Sequence, residues 1–148
     1  MLAIIDVYGT MLLRALGQTL LLTLLSLLFA IVIGMIFGLM NVGHNRVFNL
    51  IGTVYVDAVR GVPLIVLAYF IFFGIPAGIQ GLGIQGFRLS ALQAGTIALS
   101  MNCGAYMAEI IRAGIESVER GQMEAGPSLG LIYGTSMRLI VIPQPVRP

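Results

Sequence analysis

The sequence contains no lysine and no tryptophan, and charged residues make up only 9% of its 148 positions. A soluble globular domain carries roughly 25% charged residues, so this chain has too few to cover a surface that faces water. All eight basic residues are arginine. A phosphate-binding Walker loop needs a lysine that reaches the β- and γ-phosphates. The chain therefore has no such loop, and we expect any ATP to be hydrolysed by another subunit.

Cysteine and histidine each occur once, as Cys103 and His44. A disulfide within the chain needs two cysteines, and structural zinc sites are built from several Cys and His ligands. The sequence thus excludes both, and it predicts no catalytic residue, no metal site and no cofactor bound by this chain. The net charge of +2 is small and spread along the sequence, so nucleic acid is not an expected partner.

Long uncharged stretches occupy most of the chain, at residues 15–42, 61–87 and 89–108. Each is longer than the ~20 residues with which an α-helix crosses the hydrocarbon of a bilayer. The first is also longer than the apolar core of a cleaved signal peptide. We predict an all-α polytopic membrane protein. Its expected spans are residues 16–40, residues 63–75 on a helix that can begin at 48, and residues 89–111.

Small residues and helix breakers divide these spans. Span one has a small residue at every fourth position, a spacing that lets another helix approach closely; these are Ser26, Ala30, Gly34 and Gly38. The polar residues 41–49 predict a loop. Asp57 and Arg60 are three residues apart and are expected to neutralise each other, and Pro63 predicts a helix break. Residues 74–87 contain five glycines and predict a second loop.

Span three has two polar faces when it is placed on a helical wheel. One face consists of Gln93, Thr96, Ser100 and Gly104, and the nearly opposite face of Asn102, Tyr106 and Glu109. The apolar stripe between them is expected to contact lipid, and it contains Leu92, Leu99, Cys103 and Ile110. Polar groups in hydrocarbon need partners or water. Hydrogen bonding between helices and a substrate path explain the two faces equally well.

Charges of alternating sign follow span three at helical spacing, as Glu109, Arg112, Glu116 and Arg120. Such a ladder predicts that the helix continues into water, with Glu109 pairing with Arg112. Arginines also set the orientation, because cytoplasmic segments of membrane proteins are enriched in them. With the N-terminus outside, six arginines lie on the cytoplasmic side and only Arg14 and Arg88 lie outside. The segment 112–148 is then cytoplasmic.

Residues 124–143 read EAGPSLGLIYGTSMRLIVIP. This segment resembles the EAA motif of binding-protein-dependent ATP-binding-cassette importers, which is Glu-Ala-Ala, three residues, Gly, nine residues and Ile-x-Leu-Pro. The matching positions are Glu124, Ala125, Gly130, Ile140 and Pro143. Residues 60–76 (RGVPLIVLAYFIFFGIP) and 101–126 resemble the polar amino acid branch of these importers, whose substrates include histidine, glutamine, glutamate, arginine and cystine. The resemblance covers nearly the whole chain.

The resemblance implies the helical bundle of a type I importer permease in a bacterial plasma membrane. It implies that residues 112–143 form a cytoplasmic coupling hairpin, in which the five matching positions dock the ATPase subunit. It also implies a second permease subunit, homologous or identical, and an external substrate-binding protein. The substrate path is expected at Gln93, Ser100, Asn102 and Tyr106.

The chain departs from the family pattern in two respects. Gly126 and Pro127 occupy the end of the Glu-Ala-Ala element, and a proline inside a helix costs roughly 3 kcal/mol, so the first coupling helix should be shortened or bent. Only three full spans are predicted, and a fourth begins only after Pro143. Besides a working permease subunit, two alternatives therefore remain: a truncated remnant that transports nothing, and a small oligomeric channel.

Overall fold

The computed structural model describes residues 2–117, with side-chain environments from residue 8 onward. Within that range every regular element is a helix, which confirms the predicted all-α class. The elements are α1 (Leu2–Val42), α2 (Arg46–Gly61), α3 (Leu64–Tyr69), a π-helical turn (Phe70–Gly74), α4 (Ile75–Gly81) and α5 (Ala91–Glu116). Of the predicted coupling segment 112–143, residues 118–143 lie outside the described residues.

Helices α1 and α5 pack side by side and run in the same direction. A Cβ added to Gly95 would lie 3.3 Å from the Leu22 side chain, and one added to Gly38 would lie 2.9 Å from Ile111. Residue numbers therefore rise together along both helices. The predicted small-residue stripe of α1 is buried, which confirms its role in close helix packing; its members are Ser26, Ala30, Gly34 and Gly38.

The connection from α1 to α2 is shorter than the predicted loop at 41–49. Only residues 43–45 are non-helical, so the loop prediction is wrong on both sides of them. The asparagines of this segment act at helix ends instead. The Asn45 side chain accepts a hydrogen bond from the backbone N–H of Val47 at 2.9 Å and caps α2. The Asn49 amide donates to the carbonyl of Asn41, in the last turn of α1, at 2.6 Å.

The predicted break at Pro63 is confirmed, because α2 ends at Gly61 and α3 begins at Leu64. The predicted loop at 74–87 is wrong for its first half, which is helical to Gly81. Pro76 has no N–H and would clash with an α-helical turn. The preceding turn widens, and Ile75 donates to the carbonyl of Phe70, five residues back. The helix thus passes the proline without ending.

The start of α5 is fixed by a capping box. The Ser90 hydroxyl accepts from the Gln93 backbone N–H at 3.2 Å, and the Gln93 side chain accepts from the Ser90 N–H at 2.9 Å. The helix runs to Glu116, five residues beyond the predicted span, as the charge ladder predicts. Ile71 from the π-helical turn packs against Ala94 and Ala98 of α5 in a small apolar core.

Two helical stretches are long and apolar enough to cross a membrane, Tyr8–Val42 and Leu64–Gly81, as judged by length and hydropathy. Helix α5 is not among them, because the polar residues on its two faces lower its hydropathy. Its packing is nevertheless that of a bundle member, since α1 covers one face and α3 lies against the other side. The third span remains a prediction.

Candidate functional site: a charged cleft between α2 and α5

A cleft of about 360 Å³ opens between α2, the end of α1 and the last turns of α5. Most of the side chains that line it are polar or charged: Asn41, Asn49, Thr53, Val56, Asp57, Arg60, Glu109, Arg112 and Glu116. In a chain with so few charged residues, five of them meet in this one place. The cleft is therefore the described region with the greatest capacity for electrostatic recognition.

Arg112 is the centre of the ion pairs in the cleft. Its guanidinium donates to both carboxylate oxygens of Glu109, at 2.5 and 3.2 Å, and to Glu116 at 2.6 Å. The pairing of Glu109 with Arg112 confirms the prediction from their spacing. The hydrogen bond to Glu109, followed by that to Glu116, raises the pKa of Arg112 above its usual value. Arg112 therefore stays charged at any physiological pH.

Arg60 connects α2 to this network. Its guanidinium lies 3.7 Å from a Glu109 carboxylate oxygen and 5.3 Å above the ring centre of Tyr106. The predicted Asp57–Arg60 pair is wrong: among the described residues the ion pair of Arg60 is with Glu109. The two arginines thus share one carboxylate, and the shared group bridges α2 and α5. Asp57 keeps an exposed carboxylate at the rim of the cleft.

Aromatic and small residues hold α2 against the rest of the bundle. The Tyr55 hydroxyl donates to the carbonyl of Met101 at 2.8 Å, and its ring stacks on Phe37 with centroids 4.0 Å apart. Gly52 packs so closely on the Asn41 side chain that a Cβ there would overlap it. These contacts place Arg60, at the last turn of α2, beside α5.

The four predicted path residues do not meet at one place. Gln93 is exposed and occupied in the capping box. Ser100 is buried on the α1 side, where its hydroxyl donates to the Thr96 carbonyl at 2.5 Å. Asn102 is half-buried, and Tyr106 is 49% exposed beneath Arg60. Asn102 and Tyr106 thus share the face of α5 that leads to the charged cleft.

Sequence reasoning missed the Arg60–Glu109 contact because the two residues are 49 positions apart. The sequence did contain a signal for this contact, because Arg60 directly precedes the uncharged stretch 61–87 and Glu109 directly follows the stretch 89–108. Charges at such positions tend to meet at the same membrane boundary. The docking-motif positions Glu124, Ala125, Gly130, Ile140 and Pro143 lie outside the described residues.

A family model described as the inner membrane component of binding-protein-dependent transport systems matches residues 30–148. This chain belongs to that family. It is therefore a membrane protein, and its fold is that of a permease helical bundle. The family match begins within α1 and includes the charged cleft and the resembling segment 124–143.

Individual relatives agree with the family. A Bacillus subtilis protein described as a probable glutamine ABC transporter permease is 37% identical over 130 residues, which is 88% of this chain and 57% of that protein. An arginine transport system permease of the same organism is 34% identical over 132 residues, 89% of this chain and 58% of that protein. The chain thus spans somewhat more than half the length of these relatives.

A solved structure gives the same result for the fold. The crystal structure of an amino acid ABC transporter with histidines superposes with a TM-score of 0.82 at 35% sequence identity. The similarity covers 98% of this chain and 64% of that chain. The arrangement of α1 to α5 is therefore the arrangement found in an amino acid ABC transporter.

Proposed function

We propose that this chain acts as a membrane-spanning permease subunit of an ATP-driven amino acid importer. The observation that carries the proposal is the fold similarity to an amino acid ABC transporter over 98% of the chain, at 35% identity. Polar amino acids are the proposed substrates, because the relatives carry names for glutamine and arginine transport. The chain contributes the substrate path and the segment that docks the ATPase, and a partner ATPase subunit hydrolyses ATP.

The proposed path runs along the face of α5 that carries Asn102 and Tyr106. Both side chains are at least partly accessible, and both can donate and accept hydrogen bonds. A polar amino acid that leaves water needs such groups, since unmet polar atoms are costly in a membrane. A second permease subunit would close the other side of the path. Ser100 and Gln93 have partners within this chain and are weaker candidates than the other two.

The charged cleft is proposed to transmit movement between the ATPase and the path. In the proposed orientation the N-terminus is outside and the cleft lies on the cytoplasmic side. Helix α5 leads from the cleft towards the docking segment 124–143. Closure of the ATPase subunits on nucleotide would then shift α5 together with α1 by rigid-body motion, and the Glu109–Arg60 pair would keep α2 connected to α5 while the two helices move relative to each other.

Reconstitution tests the proposal. The chain is co-expressed with a candidate ATPase subunit and a substrate-binding protein, purified as a complex and placed in liposomes. We expect substrate-stimulated ATP hydrolysis, which Glu124→Ala weakens by reducing ATPase docking. Asp6→Ala is the matched control, because it removes the same charge near the N-terminus of α1, outside both the motif and the charged cleft. Equal docking by both variants contradicts the assignment of the docking motif.

The same experiment distinguishes a transporting permease subunit from the alternative, a truncated remnant that transports nothing. Gly126 and Pro127 at the end of the Glu-Ala-Ala element favour that alternative, because a proline there would weaken the first coupling helix. A chain that binds the ATPase but never stimulates it in the presence of substrate would support the remnant and contradict transport. Ion currents in the absence of ATP would instead support a channel.

A further inference from the structure

A second cavity, of about 380 Å³, lies at the end of the bundle opposite the charged cleft. It is found where α4 ends and the loop 82–90 leads into α5. Apolar side chains form most of its wall, and Gln80 and Arg88 are its polar members; the apolar ones are Phe72, Phe73, Pro76, Ala77 and Leu89.

The position of Arg88 along the bundle is that of a membrane boundary. Helix α5 begins three residues after Arg88, and its length from Ala91 to Glu109 is about 27 Å at the 1.5 Å rise per residue of a helix. The hydrocarbon core of a bilayer is about 30 Å thick. No charged residue lies between Arg88 and Glu109. We therefore expect Arg88 and the charged cleft to lie near opposite faces of the hydrocarbon.

Arg88 has no carboxylate partner among the described residues. Its side chain is exposed, and it makes no ion pair within 4 Å in the part of the chain that the structure describes. The sequence from 61 to 108 contains no acidic residue at all. A guanidinium at the edge of the hydrocarbon favours an anion, and its planar fork matches a phosphate in particular.

The loop beside the cavity exposes large apolar side chains. Leu82 is 83% exposed, and Ile84, which lies between the positive-φ glycines Gly83 and Gly86, is 60% exposed. Such side chains are unfavourable in water but suit the headgroup and upper acyl region of a bilayer. The cavity thus combines a cationic group at the boundary with apolar walls that continue toward the hydrocarbon.

We propose that this cavity binds the phosphate of a phospholipid of the outer leaflet. Arg88 contacts the phosphate, and Gln80, whose amide already donates to the Phe87 carbonyl at 2.9 Å, has one further N–H to donate at the same level. The glycerol and first acyl carbons lie against Phe72, Phe73 and Ala77. The site would fix the loop 82–90 to the membrane surface. It is independent of whether the chain transports an amino acid.

Native mass spectrometry of the full chain, released from mixed micelles with phosphatidylglycerol, tests the proposal. We expect Arg88→Gln to lower the retained phosphatidylglycerol about fivefold, the contribution of one arginine near a headgroup. Arg14→Gln is the matched control, because Arg14 also precedes an uncharged stretch at the same end of the bundle but does not line the cavity. Ala77→Phe fills the cavity without changing charge and should lower retention similarly.

Three results would overturn the proposal. Equal losses in Arg88→Gln and Arg14→Gln would show general surface attraction instead of a site. Retention of diacylglycerol as strong as that of phosphatidylglycerol would remove the phosphate from the interaction. Displacement of the lipid by millimolar inorganic phosphate or by a free amino acid would assign the cavity to a soluble anion. Circular dichroism of each variant confirms that the helices are intact.

Discussion

Helix α5 packs against α1 and against α2 in different ways. Against α1 it uses glycine and alanine, with Ala30, Ala105 and Ala108 completely buried. Against α2 it uses the Tyr55 hydrogen bond to the Met101 carbonyl and one ion pair, Glu109–Arg60, at an open cleft where both charged side chains remain about one-third exposed. The first interface is set by close atomic contact, and the second by polar contacts that include charges still reached by water.

This difference predicts where the molecule can change shape. Close steric contacts rise steeply in energy over a few tenths of an ångström, whereas the attraction between charges falls only as the inverse of their distance. Glu109 also lies within ion-pair distance of two arginines, Arg60 on α2 and Arg112 on α5. We therefore expect α1 and α5 to move as one body and α2 to shift relative to them.

The largest effect is expected from a substitution that breaks the steric interface. In Gly34→Leu the Cβ would lie 2.6 Å from the Met107 Cβ, closer than two side-chain carbons can approach. Overpacking of this kind costs about 1–3 kcal/mol. The apparent melting temperature in detergent should fall clearly. It is measured from the loss of monodisperse elution after heating.

The control for this prediction lies on the same helix. Gly17 has nothing within 4 Å of an added Cβ, so Gly17→Leu introduces the same side chain without an overlap. Leucine is also a better helix former than glycine by up to about 1 kcal/mol. Gly17→Leu should therefore leave the melting temperature unchanged or raise it, and equal destabilisation by both variants would contradict a tight α1–α5 contact at Gly34.

A smaller effect is expected where α2 is anchored to α5. Tyr55→Phe removes the hydrogen bond to the Met101 carbonyl but keeps the stack on Phe37. The net loss for such a bond is about 0.5–1.5 kcal/mol. Hydrogen–deuterium exchange should rise in α2 while α1 is unaffected. Tyr69→Phe, at an exposed tyrosine whose hydroxyl makes no hydrogen bond within the described part of the chain, should change neither helix.

The sequence predicted the steric interface better than the ionic one. A small residue at every fourth position is a local pattern, and it correctly indicated that Ser26, Ala30, Gly34 and Gly38 face another helix. The identity of that helix could not be read, because it depends on the tertiary arrangement. The Asp57–Arg60 prediction failed for the same reason. Arg60 pairs with Glu109, which is distant in sequence, and not with Asp57, which is three residues away.

Glycine density was also a poor guide in this chain. Residues 74–81 contain three glycines and a proline, yet they remain helical because the turn before Pro76 widens and Ile71 is anchored in the core. Local propensity was overridden by packing. All five docking-motif positions lie outside the described residues, so that part of the site remains a prediction from the sequence.

The smallest effect is expected at the charged cleft, and it distinguishes the two interfaces most directly. Glu109→Gln removes the carboxylate that joins Arg60 of α2 to Arg112 of α5, whereas Glu116→Gln removes a pair within α5 alone. Partly exposed pairs contribute at most about 1 kcal/mol and are screened by salt. Exchange in α2 should therefore rise in Glu109→Gln at low salt, and the difference from wild type should shrink at high salt. Glu116→Gln should leave α2 unchanged. If both variants altered α2 equally, or if salt had no influence, the contact between α2 and α5 would be steric after all, and the contrast with the α1–α5 interface would not hold.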